Sequence, residues 1–308
     1  MEGYRKKVAI CGSRGFGSYL ARAILETGEW ELVILSRNSQ PDLTASGIKV
    51  KPVDYSSVDS LYHVIKRQQV DTVISVIPDA EVQLNIIDAC LMAGVRRFVP
   101  AEFETSPEQR PLYVSGDKMS VLARLEQVST QLEYTAFSCG LFMETFAPGG
   151  WSEASNSYNY SWNDGSFLLD LKHKKALLPV DNAGSLETVI CLTSAVDVAR
   201  FVAAALFLRS WQPEMKMFGD RLRLRELLEV AQYVRAREFK VKVISEDDIE
   251  FQILRTPDWK TQRELQTMRN ILGHEYNIDK RYLNAKFPDI RAITFEDFLR
   301  QYWRASTH

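Results

Sequence analysis

The sequence predicts an α/β fold built on a doubly wound parallel sheet. In the first half of the chain, short strand-like runs are apolar throughout, as strands buried on both faces are. Amphipathic stretches with the helical period separate these runs. Apolar residues make up 45% of the 308-residue chain and charged residues 25%, so the chain can build a substantial core.

The predicted strands and helices alternate from the N-terminus onward. We place strands at Lys7–Cys11, Glu31–Ser36, Ile48–Val53, Thr72–Ile77, Arg97–Pro100 and Glu133–Cys139. We place helices at Gly17–Thr27, Val58–Gln68, Glu81–Ala93 and Ser115–Thr130. Gly94 directly follows the third of these helices, a position suited to a left-handed C-cap. This order predicts βα units around a parallel sheet with helices on both faces.

The alternation lapses after about residue 150. Strand-like pieces at Phe167–Leu171, Ala176–Val180 and Thr188–Thr193 precede a strong helix at Ala195–Leu208. We therefore expect residues 1–150 to form the parallel-sheet domain and residues 151–308 mainly a smaller, interleaved α/β part. A segment at about 186–208 is expected to return to the first domain.

Charge and composition exclude several classes of protein. Thirty-eight Lys and Arg against 40 Asp and Glu leave a net charge of −2, which gives no broad attraction to nucleic acid or an anionic membrane. The apolar runs are shorter than the roughly 20 residues that a membrane span requires. The first residues do not resemble a signal peptide, and the four cysteines are widely spaced in apolar runs. We expect a cytoplasmic protein without a structural metal.

A glycine-rich loop joins the first strand to the first helix. The candidate phosphate-binding residues are Gly12, Ser13, Arg14, Gly15, Phe16 and Gly17. Small residues at a strand–turn–helix junction let the backbone approach a diphosphate, and the helix N-terminus offers N–H groups to it. This context predicts a Rossmann-type dinucleotide site, although a βα turn of an unrelated sheet protein would look similar.

The end of the second strand discriminates between the two nicotinamide cofactors. An acidic residue there would bind the ribose 2′-hydroxyl, but Ser36 and Arg37 occupy this position. Arg37 can pair with a 2′-phosphate, Ser36 can supply a hydroxyl, and Arg14 can add a second charge. We therefore predict NADPH rather than NADH. The alternative is that Arg37 is a solvated loop residue.

Further cofactor contacts are expected after the third and fourth strands, because ligands lie outside the carboxyl ends of parallel strands. Asp54 can meet the adenine or, almost as readily, cap the next helix. Val76, Ile77 and Pro78 close the fourth strand and are expected to contact the cofactor mostly through their backbone.

Lys118 is the candidate catalytic residue. A lysine near bound nicotinamide can hold the ribose hydroxyls and move a proton. A solvated helix lysine is the ordinary alternative. Tyr113 lies five residues before Lys118 and Gly116 interrupts the run, so the pair does not have the spacing of a Tyr/Lys dyad on one helical face.

The glycine loop, Arg37, the segment Arg97–Phe103 and Lys118 together resemble the isoflavone-reductase-like (NmrA-like) branch of atypical short-chain dehydrogenases. The resemblance implies that Lys118 is the catalytic lysine, and Glu102 and Phe103 join the expected cofactor contacts. Ser18 stands at the third glycine position of the family motif. Ala101 and Glu104 replace the family's Ser and Gly.

The resemblance also covers Gly140–Phe146, similar to a family segment at the substrate pocket. The candidate pocket residues are Phe142, Met143, Phe146, Trp151 and Tyr158. An aromatic lining suits a flat, apolar substrate, whereas ordinary core packing is the alternative, favoured for Phe142.

These features predict an NADPH-dependent reductase that delivers hydride to a carbonyl, imine or activated double bond of an apolar, aromatic or polycyclic specialised metabolite. Two alternatives stay open: a cofactor-retaining isomerase or cyclase, and a redox-sensing regulator without turnover. We expect a monomer or homodimer with no nucleic-acid or membrane partner.

Overall fold

The computed structural model describes residues 6–45, 47–107, 116–151 and 165–303. The strands are, in chain order, β1 (Lys7–Cys11), β2 (Glu31–Ser36), β3 (Lys49–Pro52), β4 (Thr72–Ser75), β5 (Arg97–Val99), β6 (Glu133–Tyr134), β7 (Ala136–Ser138), β8 (Leu141–Phe142), β9 (Leu169–Asp170), β10 (Lys175–Val180), β11 (Val189–Thr193), β12 (Glu214–Lys216), β13 (Asp220–Arg223) and β14 (Lys240–Ser245).

The α-helices are α1 (Phe16–Glu26), α2 (Pro41–Ala45), α3 (Val58–Gln68), α4 (Ala80–Ala93), α5 (Gly116–Gln127), α6 (Ala195–Ala205), α7 (Leu224–Arg235), α8 (Glu246–Arg255), α9 (Trp259–Leu272), α10 (Tyr282–Lys286) and α11 (Phe295–Trp303). A 3₁₀ helix spans Met143–Phe146. Within the described residues, none of these helices combines the length and apolar character needed to cross a membrane.

The first six strands form one parallel sheet in the order β3-β2-β1-β4-β5-β6. The chain first moves outward from β1 to β3, then crosses back to β4 and continues outward in the opposite direction. The loops after β1 and β4 therefore diverge, and such a switch point is where open α/β sheets bind ligands. The predicted doubly wound parallel sheet is confirmed.

Local signals explain where the helices begin and end. The Ser57 side chain accepts a hydrogen bond from the Ser60 N–H and caps α3. The Asp79 side chain accepts one from the Val82 N–H and caps α4. Gly94 ends α4 with a φ of 72°, so the predicted left-handed C-cap is confirmed.

Among the strands predicted for the parallel sheet, two differ from those observed by more than one residue at an end. The fourth strand ends at Ser75 rather than Ile77, because the Ile77 N–H donates to the Ser75 hydroxyl oxygen rather than to a neighbouring strand. The predicted strand Glu133–Cys139 is two strands, since the β5–β6 pairing stops at Tyr134 and Ala136 then bonds to the Pro213 carbonyl. All four cysteines are buried and unbridged.

The chain divides into two compact units. The first comprises residues 1–103, 110–137 and 202–215, and the second comprises residues 104–109, 138–201 and 216–308. The segment 202–215 overlaps the end of the stretch 186–208 for which the sequence predicts a return to the first domain.

The amino end of β5 in the first unit holds a buried arginine. Arg97 is 1% exposed, and its Nε donates to Glu133 Oε2 at 2.5 Å across the β5–β6 pair. Its other nitrogens donate to the carbonyl oxygens of Leu206, Leu208 and Arg209. The guanidinium also lies 4.5 Å from the ring centroid of Trp211. Arg97 thereby attaches the returning segment 202–215 to the sheet.

The second unit contains smaller sheets, β14-β10-β9 and β13-β11-β8. Its hydrophobic core combines the 3₁₀ helix, strands β8–β11 and helices α7, α9 and α11. Phe146 packs edge-on against Phe295 with ring centroids 5.0 Å apart, and its carbonyl accepts a hydrogen bond from Trp303 Nε1 at 2.7 Å. The closing helix α11 is therefore part of this core.

Candidate functional site

The loop after β1 is built so closely that only glycine fits at its start. Gly12 has a φ of 100°, a conformation that side chains disfavour. A Cβ atom at this position would lie 2.7 Å from Val76 Cγ2. The Gly12 N–H donates to the Leu35 carbonyl at 3.3 Å, which joins the loop to the end of β2.

Gly17, in the first turn of α1, makes the close approach between helix and strand. A Cβ atom there would lie 2.3 Å from the Gly12 carbonyl oxygen. Ser18, at the family's third glycine position, is exposed, and its hydroxyl donates to the Gly15 carbonyl at 2.8 Å. The departure from the motif at Ser18 is therefore accommodated, because Gly17 is the residue that allows the close contact.

The N-terminus of α1 has the properties of an anion site. Its N-cap, Gly15, has a φ of 57° and no side chain to cap the helix, and the first turn contains no acidic residue. Ser13 and Arg14 complete the loop, and Phe16 begins the helix. An uncapped helix start presents N–H groups and partial positive charge to a phosphate. The residues present therefore fit the diphosphate of a dinucleotide.

Ser36 ends β2 beside this loop, and Arg37 follows it directly. β1 and β2 are adjacent parallel strands, so the loops carrying Arg14 and Arg37 leave the sheet at the same edge. Both arginine side chains are exposed, and within the described residues neither forms an ion pair with a carboxylate. The Ser36 hydroxyl oxygen accepts from the Asn38 N–H at 3.4 Å and shapes the turn. The carboxyl ends of β1 and β2 are thus followed by two arginine side chains, and no acidic residue lies at the end of β2.

Asp54 forms a local turn after β3. Its Oδ1 accepts hydrogen bonds from the Ser56 hydroxyl at 2.7 Å and the Ser56 N–H at 2.9 Å. These bonds hold the pKa of this exposed carboxyl below its ordinary value. Because Ser57 caps α3, the interpretation of Asp54 as the helix cap is wrong. A contact with adenine stays a prediction.

The segment after β4 lines the switch point. The Val76 N–H donates to the Cys11 carbonyl at 3.0 Å, and the Val76 side chain lies against Gly12. The Ile77 N–H donates to the Ser75 hydroxyl oxygen, and Pro78 follows before α4. Val76 thus contacts the phosphate loop directly, whereas Ile77 and Pro78 extend from the same strand end.

The segment after β5 contacts the phosphate loop through aromatic rings. Phe103 packs edge-on against Phe16, with ring centroids 4.9 Å apart, and stacks on Phe137 at 5.9 Å. Glu102 is buried, and its carbonyl accepts from the Phe137 N–H. The structure therefore brings Phe103, predicted from the family motif, to the phosphate loop predicted from the glycines.

Lys118 lies in the first turn of α5, which begins at Gly116. The structure does not describe the Lys118 side chain, and Tyr113 lies outside the described residues. The catalytic role of Lys118 stays a prediction, now placed at the start of a helix of the first unit.

Four of the five candidate pocket residues lie in the second unit at described positions. Met143 and Phe146 are fully buried in its core, as the core-packing alternative predicts. Phe142 is partly exposed and meets Trp151 edge-on, with ring centroids 5.0 Å apart. Tyr158 lies outside the described residues. Phe142, for which the sequence favours core packing, is not fully buried, so Phe142 and the buried Trp151 are kept as candidates to line a pocket.

Three polar side chains that shape these segments escaped sequence analysis. Tyr55 Oη donates to the Leu35 carbonyl, and Gln83 Oε1 accepts from the Ala101 N–H at 2.8 Å. Glu144 accepts from the Ala195 N–H with both carboxylate oxygens. Tyr55 lies three residues after the end of β3, on the ligand side, but its neighbours in the sequence give no sign of its partner.

Comparison with known proteins extends over almost the whole chain. The family model described as the NmrA-like family matches residues 4–299. The oxidoreductase BOA1 of Botryotinia fuckeliana is 28% identical over 235 residues, which cover 73% of this chain and 74% of that protein. The oxidoreductase swnR of Arthroderma benhamiae is 30% identical over 227 residues, 70% of this chain and 69% of that protein. The resemblance deduced from the sequence is confirmed.

Solved structures share the architecture at low sequence identity. The structure of AtPrR2 with NADP⁺ and (+)pinoresinol matches with a TM-score of 0.77 at 18% identity, covering 97% of this chain and 99% of that one. At this identity the match establishes the fold. The names of the relatives agree with the expectation of an oxidoreductase.

Proposed function

Because the chain belongs to the NmrA-like family, we propose that it is an NADPH-dependent reductase. Its substrate is an apolar, aromatic or polycyclic specialised metabolite, and hydride goes to a carbonyl, imine or activated double bond. The relatives named oxidoreductases and the neighbouring structure with NADP⁺ support this proposal.

The observation that carries the proposal is the glycine cradle at the switch point of the sheet. A side chain at Gly12 or Gly17 would overlap Val76 or the Gly12 carbonyl, so the loop is shaped for close backbone approach. The cradle opens onto an uncapped helix start. Arg14 and Arg37 add two exposed guanidinium groups at the same edge, which favours the cofactor with the additional phosphate.

NADPH supplies the hydride when it is bound. The chain's own groups bind and orient it: backbone N–H groups at the start of α1 hold the diphosphate, and Arg37 pairs with the 2′-phosphate. Lys118 holds the nicotinamide ribose hydroxyls and assists transfer of a proton to the reduced substrate. Phe142 and Trp151 offer aromatic edges and faces to an apolar substrate.

Oxidation of NADPH with a panel of aromatic ketones, enones and cyclic imines tests the proposal. Loss of NADPH absorbance with at least one member of the panel is the expected result. Binding of NADPH without oxidation by any acceptor would favour the regulator of the redox-sensing kind, and product formation without net NADPH oxidation would favour an isomerase or cyclase.

Replacement of Lys118 by alanine tests the catalytic residue. We expect turnover to fall by about 100-fold or more, as loss of a general acid–base group does, while the Kd for NADPH changes by less than about threefold, about 0.7 kcal/mol. Lys66→Ala on helix α3 is the matched control and should retain turnover. Retained turnover in Lys118→Ala would remove this residue from the reaction.

A further inference from the structure

A buried phenol lies between the phosphate loop and the end of β2. Tyr55 follows β3 and is 6% exposed, and its Oη donates a hydrogen bond to the Leu35 carbonyl oxygen at 2.7 Å. The same oxygen accepts from the Gly12 N–H at 3.3 Å. The Leu35 carbonyl oxygen thus accepts hydrogen bonds from the Gly12 N–H, at the start of the phosphate loop, and from the Tyr55 hydroxyl. The hydrogen bond from Tyr55 is the shorter of the two.

The Leu35 carbonyl belongs to the last stretch of β2 before the residues proposed to read the 2′-phosphate. The Ser36 carbonyl accepts from the Val53 N–H at 2.9 Å, and the Ser36 hydroxyl oxygen accepts from Asn38. These contacts fix the backbone from which Arg37 leaves the strand. Without the Tyr55 hydroxyl, the Leu35 carbonyl oxygen would keep only the longer hydrogen bond, the one from the Gly12 N–H at 3.3 Å.

Tyr55 is itself held in place. Its carbonyl accepts from Asn85 Nδ2 on α4 at 3.1 Å, and its ring packs in the hydrophobic core of the first unit. Burial raises the pKa of the phenol, while the charge of Arg37 acts in the opposite direction. The hydroxyl therefore stays protonated and acts as a donor at any pH at which the protein is handled.

A satisfied tyrosine hydroxyl that only stabilises the fold would have no effect on cofactor choice. The position of Tyr55 argues for more, because the carbonyl that it holds joins two cofactor-binding segments. We propose that Tyr55 is a positioning residue for NADPH: by fixing the Leu35 carbonyl, it directs Arg37 toward the 2′-phosphate and strengthens the preference for NADPH over NADH. This inference rests on the proposed cofactor.

Calorimetric titration of NADPH and NADH into four proteins tests the inference: the wild type, Tyr55→Phe, Arg37→Ala and the double variant. Loss of one neutral hydrogen bond corresponds to about a fivefold weaker Kd for NADPH in Tyr55→Phe. The Kd for NADH should change by less than about twofold. In the Arg37→Ala background, Tyr55→Phe should leave the NADPH-to-NADH ratio unchanged within about twofold, because the group that it directs is gone.

Two further variants guard the interpretation. Tyr62→Phe removes a phenol hydroxyl from α3 in the same unit and should leave both affinities unchanged. Asn85→Ala keeps the Tyr55 hydroxyl but removes the hydrogen bond to its carbonyl, and it should lower the preference for NADPH in the same direction by a smaller factor. It provides the test if Tyr55→Phe does not fold.

Two results would overturn the inference. One is an equal loss of affinity for both cofactors in Tyr55→Phe; the other is a change of the ratio that persists without Arg37. The first would show that Tyr55 does not affect the choice of cofactor, and the second would show that it does not act through Arg37. Failure of the wild type to bind either cofactor would instead refute the proposed function, so the two failures are distinguishable.

Discussion

The amino ends and the carboxyl ends of the strands in the parallel sheet differ in how their charged side chains are paired. At the amino ends of the strands, several charged groups are paired: Glu31 pairs with Lys7 and Lys49, and Asp71 pairs with Arg96. At the carboxyl ends, Arg14 and Arg37 are exposed and, within the described part of the chain, unpaired.

This difference separates structural charges from binding charges. A charge that the fold requires is matched inside the chain, because an unpaired buried charge is costly. A charge that serves a ligand is left for the ligand to match. The carboxyl ends of the strands are also followed by the glycines with positive φ, whereas the amino ends include the buried Arg97 with its four acceptors.

Replacing Arg97 should remove the pairing at the amino end of β5 and have the largest effect on the free energy of unfolding. Arg97→Ala removes a buried hydrogen-bond donor from Glu133 and from three carbonyl groups, so we expect the free energy of unfolding to fall by about 3–5 kcal/mol. Arg96→Ala is the control: the Arg96 side chain is 38% exposed and its loss should cost less than about 1 kcal/mol. Urea denaturation measures both. Equal effects at the two positions would contradict the structural role of Arg97.

Glu144 in the second unit sharpens the comparison. This buried carboxylate accepts hydrogen bonds from the backbone rather than pairing with a cation. Both oxygens accept from the Ala195 N–H, at 3.0 and 2.9 Å. Burial raises its pKa to about 7, against the favourable hydrogen bonds, and Asp197 adds to the rise.

The sign of the pH dependence follows from that raised pKa. Between the ordinary carboxyl pKa of about 4.5 and about 7, the folded protein retains a proton that the unfolded chain has lost. The contribution of Glu144 to stability is therefore greatest at low pH and falls as the pH rises through about 7. Between pH 5 and 8, stability should fall by about 2.5 kcal/mol more in the wild type than in Glu144→Gln. Parallel stability–pH curves for the two proteins would show that Glu144 does not titrate in this range.

Substitution at Gly12 tests the binding edge and should have the next largest effect. Gly12→Ala places a Cβ atom 2.7 Å from Val76 in a backbone conformation that alanine disfavours. We expect about 10- to 100-fold weaker NADPH binding, since such strain costs about 1–3 kcal/mol. Gly28→Ala is a matched control, because Gly28 also has a positive φ but open space around it. Gly28→Ala should lower stability slightly and leave the Kd for NADPH unchanged; equal Kd values for the two variants would exclude the cradle.

Much of the first unit was predictable because its strands are buried on both faces. A run such as Glu31–Ser36 is apolar almost throughout, so its limits follow from where polar residues resume. Gly94 and the glycines at 12, 15 and 17 were predictable as well, because a positive φ or a close contact demands that residue type.

What escaped prediction depends on contacts between residues distant in sequence. Tyr55 reaches back 20 residues to Leu35, and Gln83 reaches forward 18 residues to Ala101. A polar residue carries no local mark of such a partner. The division of Glu133–Cys139 into β6 and β7 has the same origin, since the strand break depends on the distant Pro213.

Calorimetric titration of the unmodified protein with NADPH and with NADH tests the central claim most directly. A guanidinium that matches the 2′-phosphate should make NADPH bind at least about tenfold more tightly than NADH, a difference of about 1.4 kcal/mol. The difference should shrink at high salt, because the arginines are exposed. Absence of heat with both dinucleotides, or tighter binding of NADH, would contradict the account of the carboxyl-end edge as a dinucleotide phosphate site.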